Sequence, residues 1–338
     1  MAPDPEMLDQ LPTPALVVES SILDANLGAM DAVRPGLALR PHVKAFKSTA
    51  LARRLAADGH TAFCAATPRE IEGLVAAGLT DDLLMANESL DVARLGGLAD
   101  HARITVAVDS DTVLEAAISA GIRSVLIDVE VGLPRCGCSV EDAPRLAEKA
   151  RAAGLEVRGV MGYEGHLMMV EHRSERIERI EESMSQLRSA HDAVGGDVVS
   201  AGGTGTFDTN TWCTEIQAGS YTLMDWHYDG LDLPFRPALS VLGRVVSVSA
   251  KGWIVVDVGL KALGMDHGDP GWQHGDVFFC SDEHATLVPT DGVGGWSVGD
   301  TTRLIPGHVD PTVAKHENLW LVDGERVIDR WEIDLRHW

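Results

Sequence analysis

Four basic or potentially basic side chains lie within eight residues, Arg40-Pro41-His42-Val43-Lys44-Ala45-Phe46-Lys47, of a chain whose formal net charge is −23. This octet ends an apolar run that begins at Leu37. If Lys44 lies at the inner end of a buried strand, desolvation lowers the pKa of its ammonium group and makes the amine a nucleophile. The alternative is a solvent-exposed turn between a strand and a helix, in which these residues have no chemical role.

Two later segments combine glycine with hydroxyl-bearing residues: Gly203-Thr204-Gly205 and Gly219-Ser220-Tyr221. Backbone N–H groups approach an anion closely only where side chains are small, so both segments suit a phosphate, although an ordinary glycine turn has the same composition. A lysine amine together with a phosphate cradle is what pyridoxal 5′-phosphate requires, because the amine binds its aldehyde and the cradle holds its phosphate.

A possible pair of metal ligands, His308 and Asp310, lies near the carboxyl end of the chain. On an extended strand, residues two apart point to the same side, so both side chains would reach one ion. A turn with an aspartate that caps the backbone gives the same pattern without a metal. The two residues therefore need a structural context before they count as a site.

The elements that must position these residues alternate regularly between short apolar runs and helical segments. Several helical segments end on glycine, at Gly59, Gly78, Gly121 and Gly154, which is typical of βα units in a parallel sheet. Eight such units predict an α/β fold with a (β/α)8 TIM-type barrel, whose active site lies at the carboxyl ends of the strands and whose last two loops commonly bind phosphate. The eight predicted strands are residues 37–44, 62–67, 83–87, 104–109, 124–130, 157–165, 198–205 and 214–220.

The pattern changes after about residue 233, where β-branched runs follow one another with little helical period. This favours a smaller antiparallel β domain. We therefore predict a barrel at residues 15–235 that binds the cofactor and a β domain at residues 236–338 that carries the metal ligands. Residues 1–14 are expected to pack with the β domain.

Composition excludes several classes of protein. No apolar run is long enough for a transmembrane span, and the acidic, proline-containing start does not resemble a signal peptide, so a cytoplasmic protein is expected. The acidic balance disfavours nucleic acid and anionic membranes as partners and favours a small molecule. Five cysteines without zinc-type spacing are expected to be reduced and mostly buried.

Motifs along nearly the whole chain resemble the D-threonine aldolase and D-serine dehydratase family, which are pyridoxal-phosphate enzymes of the alanine-racemase fold type. Besides the octet, they include Tyr163-Glu164-Gly165-His166 and Pro306-Gly307-His308-Val309-Asp310. The remaining motifs are residues 64–67, 132–137, 203–206, 215–225, 257–261, 283–284 and 311–312.

The resemblance implies a role for each candidate residue. Lys44 would be the lysine that forms the imine with pyridoxal phosphate, and His308 and Asp310 would bind a divalent metal. The other residues expected beside the cofactor are Arg135, Tyr163, Gly203, Thr204, Gly205, Gly219, Ser220 and Tyr221. A homodimer is also implied.

Three positions refine this expectation. Dehydratases of the family tend to have cysteine where Asp310 stands, and because thiolate suits zinc whereas oxygen suits Mn²⁺ or Mg²⁺, Asp310 favours an aldolase with one of the latter ions. His166 is the predicted base for the β-hydroxyl proton, with His172 as its nearest competitor. Phe46 departs from the family pattern, which commonly has histidine there.

The predicted function is therefore a pyridoxal-phosphate- and metal-dependent aldolase that cleaves D-3-hydroxy amino acids, such as D-threonine, 3-hydroxyaspartate or phenylserine, to glycine and an aldehyde. A dehydratase that forms a 2-oxo acid and ammonia is the alternative on the same scaffold. A racemase would have no use for a metal at the β-oxygen. A non-catalytic pyridoxal-phosphate-binding protein is the alternative from another class, although it would need no metal pair and no second domain.

Overall fold

The computed structural model describes residues 5–338, which form two compact units. The barrel unit comprises residues 30–44, 51–219 and 335–338. The β unit comprises residues 5–29, 45–50 and 220–334. Each unit is therefore assembled from segments that are separate in the chain.

Fifteen strands and eight α-helices occur within residues 5–338, and none of these helices has the length and apolar composition needed to cross a membrane. The strands are β1 (Ala15–Glu19), β2 (Ala62–Ala65), β3 (Asp82–Met85), β4 (Ile104–Val108), β5 (Ser124–Asp128), β6 (Glu156–Gly162), β7 (Val198–Ala201), β8 (Glu215–Ile216), β9 (Leu239–Ser249), β10 (Trp253–Val256), β11 (Gly275–Cys280), β12 (Ala285–Pro289), β13 (Thr301–Leu304), β14 (Asn318–Asp323) and β15 (Arg326–Glu332). The helices are α1 (Ser20–Asp31), α2 (Thr49–Ala57), α3 (Pro68–Ala76), α4 (Ala93–Gly96), α5 (Asp111–Ala120), α6 (Ala143–Ala152), α7 (Arg173–Val194) and α8 (Val309–Ala314).

Parallel strands β2 to β8 form the sheet of the barrel unit, each beside its neighbour in the sequence. Side chains of β2, β4 and β5 are buried on both faces, as expected when helices cover the outside and a packed core fills the inside. The predicted α/β class, a TIM-type barrel with a second, mostly antiparallel β domain, is confirmed.

The first of the eight predicted strands, residues 37–44, is not a regular strand. The chain makes two single parallel bridges here, from Leu39 to β8 and from His42 to β2. Pro41 lies between them, has no N–H and has a fixed φ, which prevents a continuous ladder. The sheet therefore has seven regular strands, and an irregular segment bridges the last strand to the first.

A buried ion network lies at the amino-terminal ends of the barrel strands. Asp82 begins β3 and Glu215 begins β8. Arg40 bonds both carboxylates, with its Nε 2.8 Å from Glu215 Oε1 and its Nη2 3.1 Å from Asp82 Oδ2. Arg158 adds a second guanidinium, 2.6 Å from Asp82 Oδ2. Arg40, the first residue of the octet, therefore has a structural role.

We expect Asp82→Asn to lower the free energy of unfolding by about 3–5 kcal/mol at pH 7, because two buried guanidinium groups lose a charged partner. Burial alone would raise the pKa of Asp82, but hydrogen bonds from Arg158 and Arg40 lower it to about 2. A lowered carboxyl pKa contributes stability above the unfolded pKa, and this stability disappears as pH falls towards the folded value. Urea unfolding should show a smaller difference at pH 3 than at pH 7, and an equal difference would contradict this assignment.

The sheet of the β unit has the order β11-β12-β10-β9-β1-β14-β15, with β13 also beside β9. β1 and β14 are parallel, and the other neighbours are antiparallel. Residues 15–19 therefore belong to this sheet, whereas the sequence prediction began the barrel at residue 15. The reason is strand pairing, because Val17 of β1 lies opposite both Ser240 and Trp320.

The amino-terminal segment is part of the β unit from residue 5 onward. The Leu8 N–H donates to the carbonyl of Glu325 at 2.8 Å, and Leu8 and Leu11 are buried in one cluster with Leu242 and Trp320. The prediction that residues 1–14 pack with the β domain concerns this segment, and its first four residues lie outside the described part of the chain.

All five cysteines are free thiols, as predicted, and Cys64, Cys138 and Cys213 are buried. Burial raises the pKa of Cys138 and Cys213 to about 12 and that of Cys280 to about 11. These thiols are therefore protonated at neutral pH and are poor nucleophiles.

Candidate functional site

The candidate cofactor lysine directly follows the segment that bridges the ends of the parallel sheet. Lys44 lies in a short 3-10 helix, Val43–Ala45, two residues beyond the bridge that His42 makes with Cys64. Its side chain is half-buried between the fully buried Val43 and Ala45. Lys44 therefore lies at the carboxyl end of the first barrel segment, between two buried residues. Barrel enzymes have their reactive groups at this end of the strands.

Arg135 and Tyr163, both predicted beside the cofactor, lie together in the barrel unit. Arg135 belongs to the loop after β5, and Tyr163 directly follows β6. The guanidinium carbon of Arg135 lies 5.5 Å from the centroid of the Tyr163 ring, within the range of a cation–π contact. Adjacent parallel strands therefore deliver one cation and one half-buried aromatic ring to the same edge of the sheet.

The glycine loop after β7 is organised by Glu164, a residue that the sequence prediction did not select. Glu164 is fully buried and accepts hydrogen bonds from the Gly202 N–H at 3.0 Å, the Thr206 hydroxyl at 2.9 Å and the Asn210 amide at 2.8 Å. Its only sequence signal was its place between Tyr163 and Gly165 in a family motif. The loop conformation is thus fixed by one carboxylate from the neighbouring strand.

Close packing explains the glycines of this loop. A Cβ at Gly205 would lie 2.3 Å from the carbonyl oxygen of Met168, and one at Gly203 would lie 2.8 Å from the Met168 sulfur and 3.3 Å from the Tyr163 ring. A side chain at Gly203 would therefore fill the space beside Tyr163. A loop of small residues, an aromatic ring and a lysine amine are the groups that the phosphate, ring and aldehyde of pyridoxal phosphate require, so the residue types present fit this cofactor.

The other predicted phosphate segment crosses the boundary between the two units. Gly219 ends the barrel-unit segment, whereas Ser220 and Tyr221 begin a 3-10 helix that is counted with the β unit. Tyr221 is fully buried, and its ring centroid lies 5.6 Å from that of Phe235.

Phe46, the residue of the octet that departs from the family pattern, is also fully buried.

His166 lies on a 3-10 turn, Gly165–Leu167, after β6. Its ring packs on Gly132, where a Cβ would come within 2.7 Å of the ring and where φ is +119°. Among the described residues, no hydrogen-bond partner reaches its buried Nδ1. Burial and, secondarily, the charge of Arg179 lower the pKa of His166, so it is neutral at pH 7 and able to accept a proton. His172, the competitor, is exposed at the start of α7.

Acidic side chains gather at the same edge of the barrel sheet. Glu88, Asp109 and Cys136 place one ligand-type atom each within 4.8 Å of one another. Asp128, the last residue of β5, is 6% exposed, and burial followed by the negative charge of Glu88 raises its pKa well above the ordinary value. Asp128 therefore has a raised pKa at the carboxyl ends of the barrel strands, whereas Asp82 has a lowered pKa at their amino-terminal ends.

Asp128→Asn is expected to raise thermal stability at pH 7, because the amide has the size of the carboxyl group without its charge. A carboxyl pKa that is raised by folding destabilises the protein above the unfolded pKa, and the penalty disappears as pH falls. Glu88, Asp109, Arg135 and Cys138 are the groups whose charges act on Asp128 or are affected by it. Calorimetry at pH 7 and pH 5 should show the gain shrinking at pH 5. A variant that is less stable than the wild type at pH 7 would contradict this.

The predicted strand geometry of the metal pair is wrong. His308 is the N-cap residue of α8, and Asp310 lies in the first turn of that helix. A helix starts here because Pro311 is favourable in a first turn and because Asp225 Oδ1 accepts the Val309 N–H at 2.5 Å. The two residues are therefore positioned by a helix start and not by strand periodicity.

Two neighbours of His308, Asp266 and His267, were not selected from the sequence. Asp266, His267 and His308 each offer a ligand atom within 4.8 Å of the others. His308 Nδ1 lies 2.7 Å from Asp266 Oδ2, and the rings of His267 and His308 stack with centroids 3.8 Å apart. Imidazole nitrogen and carboxylate oxygen suit a divalent ion such as Mn²⁺, Mg²⁺ or Zn²⁺, so the residues present fit a metal.

Two further motifs that carried the family resemblance lie together in the β unit. Residues 257–261 contact residues 281–284: the Leu260 N–H donates to the Ser281 carbonyl at 2.9 Å, and Lys261 forms an ion pair with Glu283. Asp257, Lys261 and Glu283 line a cavity of about 470 Å³.

Comparison with known proteins places both units. Residues 18–225 match the family model described as alanine racemase, N-terminal domain, and residues 238–322 match the putative serine dehydratase domain. The chain is 36% identical to a D-threonine aldolase from Arthrobacter sp, over 97% of this chain and 94% of that one. It is 30% identical to a 3-hydroxy-D-aspartate aldolase from Paracoccus denitrificans, over 97% and 92%. The crystal structure of a D-threonine aldolase from Filomicrobium marinum matches with a TM-score of 0.91 at 31% identity, covering 99% of both chains.

Proposed function

The chain belongs to the alanine racemase N-terminal domain family, with a second domain of the putative serine dehydratase type, and from this membership we propose that it is a pyridoxal-phosphate- and divalent-metal-dependent aldolase. Its proposed substrates are D-3-hydroxy amino acids, which it cleaves to glycine and an aldehyde. The observation that carries the proposal is the start of α8, where His308 is the N-cap residue and Asp310, an oxygen donor, follows in the first turn. The three relatives named above are all aldolases, which supports the same reaction.

Each residue has a proposed role at the cofactor. Lys44 would hold pyridoxal phosphate covalently through its side-chain amine. Tyr163 and Arg135 would lie beside its ring, and the loop around Gly203 would hold its phosphate. When bound, the cofactor supplies the electron sink for the pair released from the Cα–Cβ bond. Glu164 acts indirectly, because its three hydrogen bonds keep the glycine loop in place.

The remaining residues are proposed to act on the β-hydroxyl group of the substrate. His308 and Asp310 would hold a divalent ion whose Lewis acidity lowers the pKa of the hydroxyl. His166 accepts the hydroxyl proton, for which its half-buried imidazole, whose pKa is lowered by desolvation, is suited. We propose Mn²⁺ or Mg²⁺ ahead of Zn²⁺, because the proposed ligand Asp310 offers oxygen and not a thiolate. A homodimer and a cytoplasmic location complete the proposal, and light scattering of the purified holoenzyme tests the former.

His166→Gln should lower kcat about 10²- to 10⁴-fold, the usual contribution of a general base. Because burial lowers the pKa of His166, the wild-type kcat should fall only as pH drops below about 6.5. This acidic limb should be absent in the variant. His172→Gln is the matched control and should retain the wild-type rate and profile. A variant at His166 that kept the limb would assign the base to another group.

The dehydratase remains the second candidate, because residues 238–322 match a putative serine dehydratase domain. It would use Lys44 to remove the Cα proton. Incubating the holoenzyme with D-threonine and with L-threonine tests the aldolase proposal and its stereochemistry. We expect glycine and acetaldehyde from the D-isomer and no turnover of the L-isomer. Glycine from L-threonine alone, or no turnover of any D-3-hydroxy amino acid, would overturn the proposal.

A further inference from the structure

We propose that the dipeptide Asp266-His267 positions His308 as a metal ligand, the carboxylate by fixing the tautomer of the His308 ring and the imidazole of His267 by fixing the plane of that ring. This inference rests on the metal site in the proposed function. Neither Asp266 nor His267 is needed as a ligand in it.

The tautomer follows from one hydrogen bond. His308 Nδ1 lies 2.7 Å from Asp266 Oδ2, and a carboxylate can only accept. The proton of the neutral imidazole is therefore held on Nδ1, and Nε2 keeps its lone pair for a metal. A carboxylate that accepts from the distal nitrogen of a metal-bound histidine also makes the imidazole more basic, and such partners typically change metal affinity 10- to 100-fold.

The ring plane follows from the stack. The His267 and His308 rings are 7° from parallel, with centroids 3.8 Å apart, so His308 cannot rotate about its Cβ–Cγ bond without losing this contact. The adjacent residues Asp266 and His267 thus restrict one imidazole in two independent ways. A ligand held in one orientation loses less rotational freedom when a metal binds.

The backbone fixes the dipeptide relative to α8. Gly264 and His308 form an antiparallel bridge. The Thr312 hydroxyl donates to the His308 carbonyl at 2.7 Å and accepts the Gly264 N–H at 2.9 Å. The loop before Asp266 and the start of the helix are therefore connected through one side chain, which keeps Asp266 within reach of His308.

Calorimetric titration of the pyridoxal-phosphate-loaded, metal-depleted enzyme with MnCl₂ tests the role of Asp266. We expect Asp266→Ala to weaken Mn²⁺ binding about 10- to 100-fold. Asp266→Asn, which keeps an acceptor without the charge, should lie between it and the wild type. Asp276→Asn, a change at an exposed aspartate of β11, is the control and should bind normally. Wild-type affinity in Asp266→Ala would overturn the proposal, and so would a loss as complete as that in His308→Ala, because Asp266 would then be a ligand itself.

The role of His267 is tested by comparing a variant that retains a flat ring with one that has none. His267→Phe retains a flat ring and should keep wild-type Mn²⁺ affinity, whereas His267→Ala should bind less tightly. Loss of affinity in the phenylalanine variant would mean that the His267 nitrogen is needed. Nitrogen-15 NMR of metal-depleted protein adds a readout of the tautomer: the His308 proton should reside on Nδ1 in the wild type and distribute over both nitrogens in Asp266→Ala. A wild-type protein that bound no Mn²⁺ would instead contradict the proposed function itself.

Discussion

Lys44→Ala should purify without the absorbance band of covalently held pyridoxal phosphate, and its aldolase activity should fall on the order of 10⁴-fold or more, as for the loss of an essential nucleophile. The octet contains two lysines, and their positions in the structure differ. Lys44 lies in a 3-10 helix beside the bridge between β2 and the closing segment, whereas Lys47 has a positive φ of 49° just before α2. The first position is the one expected for the cofactor anchor.

Lys47→Gly is the matched control, because glycine accepts a positive φ without strain. This variant should keep the absorbance band. Borohydride reduction of the wild-type holoenzyme followed by peptide mapping should place the cofactor on Lys44. Retention of the band in Lys44→Ala together with its loss in Lys47→Gly would show that Lys47, and not Lys44, binds the cofactor.

The second large effect concerns the metal. Removing it by chelation should lower the rate about 10³-fold or more, because Lewis-acid stabilisation of a developing alkoxide contributes several kcal/mol. Added Mn²⁺ should restore the wild-type enzyme. In Asp310→Ala the activity should be equally low and should not recover at the same Mn²⁺ concentration, because the proposed oxygen ligand is gone.

Asp276→Asn again serves as the control, and its activity should respond to chelation and Mn²⁺ like that of the wild type. Full activity after chelation, together with full activity in Asp310→Ala, would remove the metal from the proposed reaction. It would then favour a pyridoxal-phosphate protein in which the β unit has no catalytic role.

The barrel could be predicted from the sequence because its signals are local. Helices α5 and α6 each bury an apolar stripe, and Gly121 ends α5 in the left-handed conformation. Strands β4 and β5 are continuous apolar runs, as parallel strands buried on both faces require. The prediction of a regular first strand at residues 37–44 was wrong for an equally local reason: Pro41 interrupts strand pairing, which the apolar pattern of this segment does not reveal.

The site was less predictable because its hydrogen bonds join distant residues. Glu164 bonds Asn210, 46 positions away, and Asp266 bonds His308, 42 positions away. A single carboxylate among the 51 acidic residues gives no local sign of such a partner. The strand geometry expected for His308 and Asp310 failed because Asp225, 84 positions before Val309, caps the helix that starts there.

Other candidate residues lie close together because they follow neighbouring strands in the sequence. Arg135 and Tyr163 follow neighbouring strands, and the guanidinium carbon of Arg135 lies 5.5 Å from the centroid of the Tyr163 ring. His166 is three residues beyond Tyr163, so the same strand end delivers both. Within the octet, Arg40 and Lys44 lie at opposite ends of the strands. Arg40 belongs to the buried ion network at the strand starts, whereas Lys44 follows the His42 bridge at the strand ends.

The most direct test of the proposed reaction is a product balance for D-threonine with the holoenzyme and Mn²⁺, followed by proton NMR. Cleavage of the Cα–Cβ bond yields one glycine and one acetaldehyde for each substrate consumed and releases no ammonia. We expect glycine to account for the substrate consumed. Formation of 2-oxobutanoate and ammonia without glycine would contradict the aldolase assignment and establish a dehydratase.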